Sequence, residues 1–593
     1  MASLDLAVIG NCNHGALLDR RGCIVWCCLP HFDRDPVFCA LLGGEGAADG
    51  VFDIELLDLV RVEQFYWRNS AVLETRLCDR AGGAVGIVDF APRFMQFGRA
   101  FRPIMLVRRV RPLSGTPRIC VRVRPRYGYG AGVPETTRGS NHIRYMMPDQ
   151  TLRLTTDAPI SYIAQEVPFI LGNPIEMIFG ADETIPQSLS DLAREFAERT
   201  DAYWRDWCRS LFLPFEWQEA VMRAAITLKL MSFEDTGAII AALTTSIPEA
   251  PDSGRNWDYR YCWLRDAYFV VRALNELNAT RIMENYLAYI ANTVATTPDG
   301  YLRPLYGILR EADLPEREVS SLPGYRGMGP VRVGNGAGGQ VQNDAYGSVI
   351  LACSQIYFDR RLDRPGDEAL FWRLEQLGEQ AAARWNQPDA GIWEYRGRAA
   401  VHTHSAALCW GACDRLALIA AVLGLEARQI FWRQRADRMR EAILAQAWNE
   451  EKGSFAATFG GATLDAALLL LPGLGIIDAK DARFIGTLER IERELMTGPY
   501  LYRYADADDF GLPATAFLVC SFWYVDALAA VGRKDEARGL FETLLARRNH
   551  VGLLAEDLDV AAAELWGNFP QTYSMVGLIH AAMRLSRPWA GAF

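Results

Sequence analysis

The sequence predicts an N-terminal β-sandwich over residues 1–187, a helical connector over 188–213 and a closed barrel of paired helices over 214–593. Three observations predict it. Short runs alternating apolar and polar residues fill roughly the first 180 positions, and the texture changes after Ile185-Pro186-Gln187-Ser188. Twelve apolar runs at helical spacing then follow to the C-terminus. A chain of 593 residues also exceeds what one ordinary core serves, so two or three domains are expected.

In the first segment Ile119, Val121 and Val123 alternate with Arg118, Arg122 and Arg124, the pattern of a half-buried strand. Val72 to Leu77 and Ala84 to Phe90 flank Asp79-Arg80-Ala81-Gly82-Gly83, a hairpin signal. Pro112-Leu113-Ser114-Gly115 reads as a further turn. Many short strands so punctuated suggest a sandwich. Residues 188–211 form a polar amphipathic helix carrying Tyr203, Trp204 and Trp207.

From Phe215 onward Trp217, Ala220, Val221, Ala224 and Leu228 set a helical spacing that recurs. The runs begin near 215, 265, 281, 341, 366, 405, 425, 464, 480, 514, 534 and 570, which fits six αα-hairpins. Connections leading into the even-numbered runs are long and rich in Trp, Tyr, Gly, Arg and Asp, whereas the others are mostly short and plain. If the hairpins close into a toroid, all six decorated loops open on one rim, and a site belongs there rather than in the β domain.

A net charge of −10 and a pI near 5.4 argue against a nucleic-acid or anionic-membrane partner. The N-terminus lacks a basic n-region and a sufficient apolar h-region, and no apolar segment is expected to reach membrane-spanning length. Thirteen scattered cysteines, often within apolar runs, suggest reduced thiols and a cytoplasmic place. Their spacing is not that of a zinc site, and His402 and His404 lack matched acidic ligands, so neither a metal nor a cofactor is expected. Association into a homo-oligomer stays open.

The loop before the second run, Asn256-Trp257-Asp258-Tyr259-Arg260-Tyr261-Cys262-Trp263-Leu264-Arg265-Asp266, packs aromatic and guanidinium planes with carboxylates. A structural ion pair among packing aromatics is one reading; the other is a pocket for a polyhydroxylated ring. Glu394 lies between Trp393 and Tyr395, an aromatic setting that desolvates a carboxyl as a general acid requires. Glu556 lies in the acid-rich loop Ala555-Glu556-Asp557-Leu558-Asp559, company suited to a base that holds a water. Two carboxylates at one mouth form the constellation of glycoside hydrolysis.

These motifs resemble glycoside hydrolase family 15, which includes glucoamylases, glucodextranases and bacterial trehalases. The resemblance runs through Ile9-Gly10-Asn11-Cys12, Leu29-Pro30-His31-Phe32-Asp33, Arg255 to Asp266, Gly324-Tyr325-Arg326-Gly327, Gly391-Ile392-Trp393-Glu394, Cys520-Ser521-Phe522-Trp523 and Gly567-Asn568-Phe569-Pro570-Gln571. It implies a β-sandwich of the supersandwich kind, a linker and an (α/α)6 barrel. It also implies an inverting exo-hydrolase that releases glucose from the non-reducing end of α-linked oligosaccharides in the manner of a glucoamylase, with a trehalase as the alternative. By position Glu394 matches the general acid and Glu556 the general base, with Asp557 as fallback. Arg265 and Asp266 match the grip on the terminal sugar, Arg503 a further sugar-binding arginine, Tyr259 and Trp263 the subsite walls, and Trp393 the flank of the acid. An oligosaccharide or disaccharide is the implied partner.

Three features depart from the pattern. Ser405-Ala406 stands where family members often carry Ser-Lys, which is expected to alter the pocket beyond the first sugar. Gly334 to Gly339 is glycine-rich at the second subsite. Asp506-Ala507-Asp508-Asp509 matches the Asp-x-Asp-Asp string of terpene cyclases, a competing reading, as is a non-catalytic carbohydrate-binding relative.

Overall fold

A computed structural model describes residues 3–297 and 300–591. Strands from Ala7–Gly10 to Ile175–Ala181 build a seven-stranded and an eight-stranded antiparallel sheet. Their inner faces meet through Phe38 and Phe52 of the first sheet and Phe179 of the second, with ring centroids 5.1 and 6.1 Å from Phe179. Arg108, on the strand Met105–Ser114, is wholly buried, where a lone charge would be costly. It is satisfied by Asp89 of its own sheet at 2.7 Å and by the Phe52 carbonyl of the other at 2.5 Å, so one guanidinium ties the two layers.

The hairpin Leu73–Asp79 with Ala84–Phe90 forms around Gly82 as the residues imply. The expected turn at Pro112 to Gly115 lies further on, because the strand continues to Ser114 through an irregularity between Pro112 and Ser114. Beyond Val110 this strand pairs on one side alone, so the missing Pro112 N–H breaks no ladder. Helix Leu189–Arg209 starts on Ser188, whose side chain accepts from Asp191 N, and it covers the eight-stranded sheet with Ala193, Phe196 and Ala197.

Among the described residues twelve helical segments then build the barrel. The inner ones are Ala267–Glu276, Asp344–Phe358, Thr403–Val422, a 3-10 turn Ala466–Leu470 continued by Leu471–Leu474, Leu518–Val531 and Thr572–Leu585. Each inner segment contacts the next, and the sixth contacts the first, closing the barrel. The fourth is shortened to about two turns: Pro472 contributes no N–H, and Gly475 ends the turn at a φ of 92°. Outer helices bury one stripe, as Phe484, Leu488, Ile491 and Leu495 do on Ala482–Leu495.

Inner helices bury most of their surface, with Leu418 and Val422 exposed toward the far end of Thr403–Val422. Thr403–Val422 is therefore long and apolar enough by composition to cross a membrane, against the expectation from sequence. Its place inside the barrel, with 78% of the apolar window buried, accounts for that composition. The sandwich and barrel share a continuous apolar core. Across it Trp26 Nε1 donates to the Leu243 carbonyl at 2.9 Å, and Asn549 Nδ2 donates to those of Leu4 and Leu6 at 3.0 and 2.8 Å.

Candidate active site

A cavity of about 880 Å³ opens at the rim where the loops enter the inner helices. Tyr259, Trp263, Arg265, Asp266, Trp393, Glu394, Arg503 and Glu556 all line it. Five of the six decorated loops supply its wall. The fourth does not reach it; Asp465 from that loop instead accepts from Trp393 Nε1 at 2.7 Å and holds the indole from behind. Ser405 and Ala406 are buried in their helix and form no part of the lining, so the departure there does not touch the pocket wall directly.

The string from Arg255 to Asp266 runs largely extended, and its side chains alternate between two environments. Arg255, Trp257, Tyr259, Trp263 and Arg265 line the cavity. Asp258 and Arg260 face away, both fully buried, and pair at 2.8 and 2.7 Å. Arg260 then donates to the Arg34 carbonyl at 2.9 Å and the Tyr129 hydroxyl at 3.0 Å, both in the sandwich domain. Alternation by two along extended backbone gives one string both duties, a domain clamp and a pocket wall. Tyr261 packs instead with Ala241, Trp263, Leu305 and Ala337, and from Leu264 the string turns into its helix, which brings Asp266 to the cavity beside Arg265.

Glu394 adopts a left-handed φ of 60°, a conformation costing about 1–3 kcal/mol in a non-glycine residue. The turn that imposes it closes through Glu394 N to the Gly391 carbonyl at 3.2 Å, and Gly391 itself has a φ of 67°. Its setting is more polar than the flanking aromatics suggest. Oε1 accepts from Trp263 Nε1 at 2.7 Å, Arg265 Nη1 at 3.2 Å and Gln342 Nε2 at 3.3 Å. All three of these bonds go to Oε1, which leaves Oε2 for a proton. Arg265 Nε, 3.4 Å from Asp266, makes no hydrogen bond, and neither does Asp266 Oδ1. Burial, with the Glu394 charge adding to it, pushes Asp266 up to about 6 against the pull of Arg265.

Glu556 and Asp557 sit deep, at 1% exposure each. Neither Glu556 oxygen has a well-formed hydrogen bond, although the Tyr259 hydroxyl lies beside it. Burial, then the charge of Glu249, pushes Glu556 up to about 8, while Tyr259 and Arg503 pull the other way. Asp557 is raised for the same first two reasons. The Thr515 hydroxyl lies 3.0 Å from Asp557 Oδ1 and 3.0 Å from the Glu249 carbonyl oxygen, fixing the two segments together.

Sequence reading missed Glu249. It pairs with Arg503, accepts from Trp257 Nε1 at 3.0 Å and lines the cavity, so three carboxylates share this end. A lone acid in Ile247-Pro248-Glu249-Ala250-Pro251 carries no local signal, because its partner lies 254 positions away. Arg255 and Asp508 were also outside the expected set; they pair bidentately at 2.6 and 2.5 Å on the cavity wall. That pairing, with Tyr504 donating to Asp508 at the same place, makes the Asp-x-Asp-Asp string part of the rim rather than a proton donor to an alkene. Arg396 stacks over Trp257 at 4.4 Å and pairs with Glu316, narrowing the outer cavity.

Residues 217–583 match the family model described as glycosyl hydrolases family 15. The chain belongs to glycosyl hydrolases family 15. It is a glycoside hydrolase, and residues 4–167 match a second family model, trehalase-like, N-terminal. Family 15 relatives along nearly the whole chain include a trehalase of Thermoplasma volcanium, 32% identical over 97% of this chain and 92% of the relative. A trehalase of Mycobacterium tuberculosis is 30% identical over 98% of this chain and 89% of its own length. A crystal structure of bacterial glucoamylase complexed with acarbose superposes with a TM-score of 0.69 at 13% identity, covering 98% of this chain and 94% of that one. That likeness establishes the shared family 15 architecture of β-rich domain and helical barrel.

Proposed function

We propose that this family 15 enzyme is a trehalase that splits α,α-trehalose into two glucose molecules with inversion. The observation that carries the reading is the end-to-end similarity to trehalases, at about 30% identity and through both domains. The glucoamylase-like reading rests on fold likeness to a glucoamylase at 13% identity and is the weaker of the two. The cavity wall of aromatic rings with carboxylate and guanidinium groups has the chemistry that a disaccharide asks for. The narrowing by Arg396, Trp257 and the Arg255–Asp508 pair supports a short substrate as well.

In this mechanism Tyr259 and Trp263 pack against the first glucose, and the Arg265 and Asp266 side chains take its hydroxyls. Glu394 protonates the bridging oxygen through Oε2, with Trp393 held beside it. Glu556 removes a proton from a water that attacks the anomeric carbon from the opposite face. Arg503, paired with Glu249, places positive charge near that base. Inversion needs carboxyl groups roughly 6.5–9.5 Å apart so that the water fits between sugar and base. The thirteen unpaired cysteines support placing the enzyme in a reducing, cytoplasmic compartment.

The test is a substrate panel of trehalose, maltose, isomaltose and maltotriose, with product anomers followed by NMR. Trehalose is expected to be the preferred substrate, yielding one α- and one β-glucose per turnover. Faster cleavage of maltose or maltotriose would return the assignment to a glucoamylase, and two α-anomers would overturn inversion.

A further inference from the structure

Outside the catalytic mouth, a cavity of about 1520 Å³ lies where the β domain, helix Leu189–Arg209 and the first barrel hairpin meet. Lys229, on helix Gln218–Leu230, lines it at 5% exposure. Its Nζ lies 5.0, 5.7 and 4.5 Å from the ring centroids of Tyr203, Trp204 and Trp207. No described residue accepts a hydrogen bond from this ammonium or pairs with it. A buried amine without an acceptor is costly as a cation.

The choice of residue is telling. The chain carries 62 basic residues, of which only Lys229, Lys452, Lys480 and Lys534 are lysines. Arginine would supply a permanent charge, whereas lysine alone can become a neutral nucleophile when buried. Burial first, then the neighbouring Arg93, brings Lys229 down to about 7, with Arg281 pulling the same way and Cys12 and Glu234 opposing. Arg281, exposed and without a partner among the described residues, lines the same cavity. The acids there are engaged: Glu234 with Arg93 at 2.6 Å and Arg102 at 3.2 Å, and Asp206 with Arg209 at 2.7 Å.

We propose that Lys229 is the nucleophile of a second ligand site, which condenses reversibly with a small carbonyl compound bearing an anionic group. The neutral amine attacks the carbonyl carbon and forms a C–N bond. The carbonyl oxygen takes up two protons and leaves as water, the nitrogen loses two, and an imine remains. Arg281 holds the anionic group, and the three rings exclude water from the C=N bond. No oxidant, reductant or second substrate is needed. The hydrolysis described above uses none of these residues, so the two sites stand or fall separately.

The full chain, incubated at neutral pH with glyoxylate and cyanoborohydride, turns the imine into a stable secondary amine that peptide mapping locates. Lys229 is expected to be labelled about tenfold or more faster than Lys452, Lys480 or Lys534, none of which lines this cavity. The labelling rate should reach half its maximum near pH 7. Equal labelling of the four lysines, or none at Lys229, overturns the proposal. Arg281→Gln is expected to slow glyoxylate labelling several-fold and leave acetaldehyde labelling unchanged. Unchanged glyoxylate labelling in that variant overturns the anionic class of ligand.

Discussion

Arg265 and Glu394 meet at 3.2 Å through Nη1 and Oε1, while Arg265 Nε, buried 3.4 Å from Asp266 Oδ1, makes no hydrogen bond. One guanidinium thus bridges the two carboxylates of Glu394 and Asp266, the proposed acid and the proposed sugar grip.

Replacing Glu394 by Gln keeps an acceptor for Trp263 and Arg265 but removes the transferable proton. Turnover of trehalose is expected to fall about 100- to 10,000-fold, the usual share of general acid catalysis, with little change in the thermal midpoint. Steady-state kinetics and a melting curve check both halves.

Glu556→Gln and Asp557→Asn separate the two buried acids. The first is expected to cut kcat by about a thousandfold within the range for a general base, and the second considerably less. The reverse order in kcat would move the role of base to Asp557.

The pH dependence follows from Glu249. A base must be ionised, so kcat/KM is expected to fall as pH drops below the value of about 8 that burial and Glu249 give Glu556 in the free enzyme. Glu249→Gln removes the raising charge and should move that acidic limb to lower pH. An unmoved limb would assign it to another group.

The same shift has a cost in stability. Glu556 is raised from about 4.3 in the unfolded chain to about 8, so the native state binds more protons between these values and stability declines as pH rises through that window. Glu556→Gln lacks this penalty. Its gain in melting temperature over the wild type is expected to grow across the window and be largest above pH 8. Differential scanning calorimetry at several pH values reads it directly.

Arg260→Met leaves Asp258 buried and unpaired. The loss is expected to be about 3–5 kcal/mol in denaturant unfolding. Asp258→Asn paired with Arg260→Met should recover part of it.

The helical barrel was legible because its evidence is local: 3.6-residue spacing marks helices, and aromatic, charged connections mark the rim. The eight expected site residues fall on one cavity for that reason, each carried by a loop entering an inner helix. What escaped was non-local. Glu249 owes its place to Arg503, and the turn expected at Pro112 depends on which neighbouring strand still pairs there. The shortened fourth inner segment was legible in Pro472 and Gly475 but hidden by the run of leucines before them. The Asn256–Asp266 string holds both an ion pair, Asp258 with Arg260, and a cavity wall of Trp257, Tyr259 and Trp263, set apart by residue parity where the chain is extended.

Through that parity the sandwich domain holds the cavity wall without lining the cavity. Because side chains from Arg255 to Arg260 point alternately into the cavity and away from it, sliding the string by one residue would swing Arg260 in and Tyr259 out. The Arg260 bonds to the Arg34 carbonyl and the Tyr129 hydroxyl forbid that slip. The β domain works as a register pin for the cavity wall.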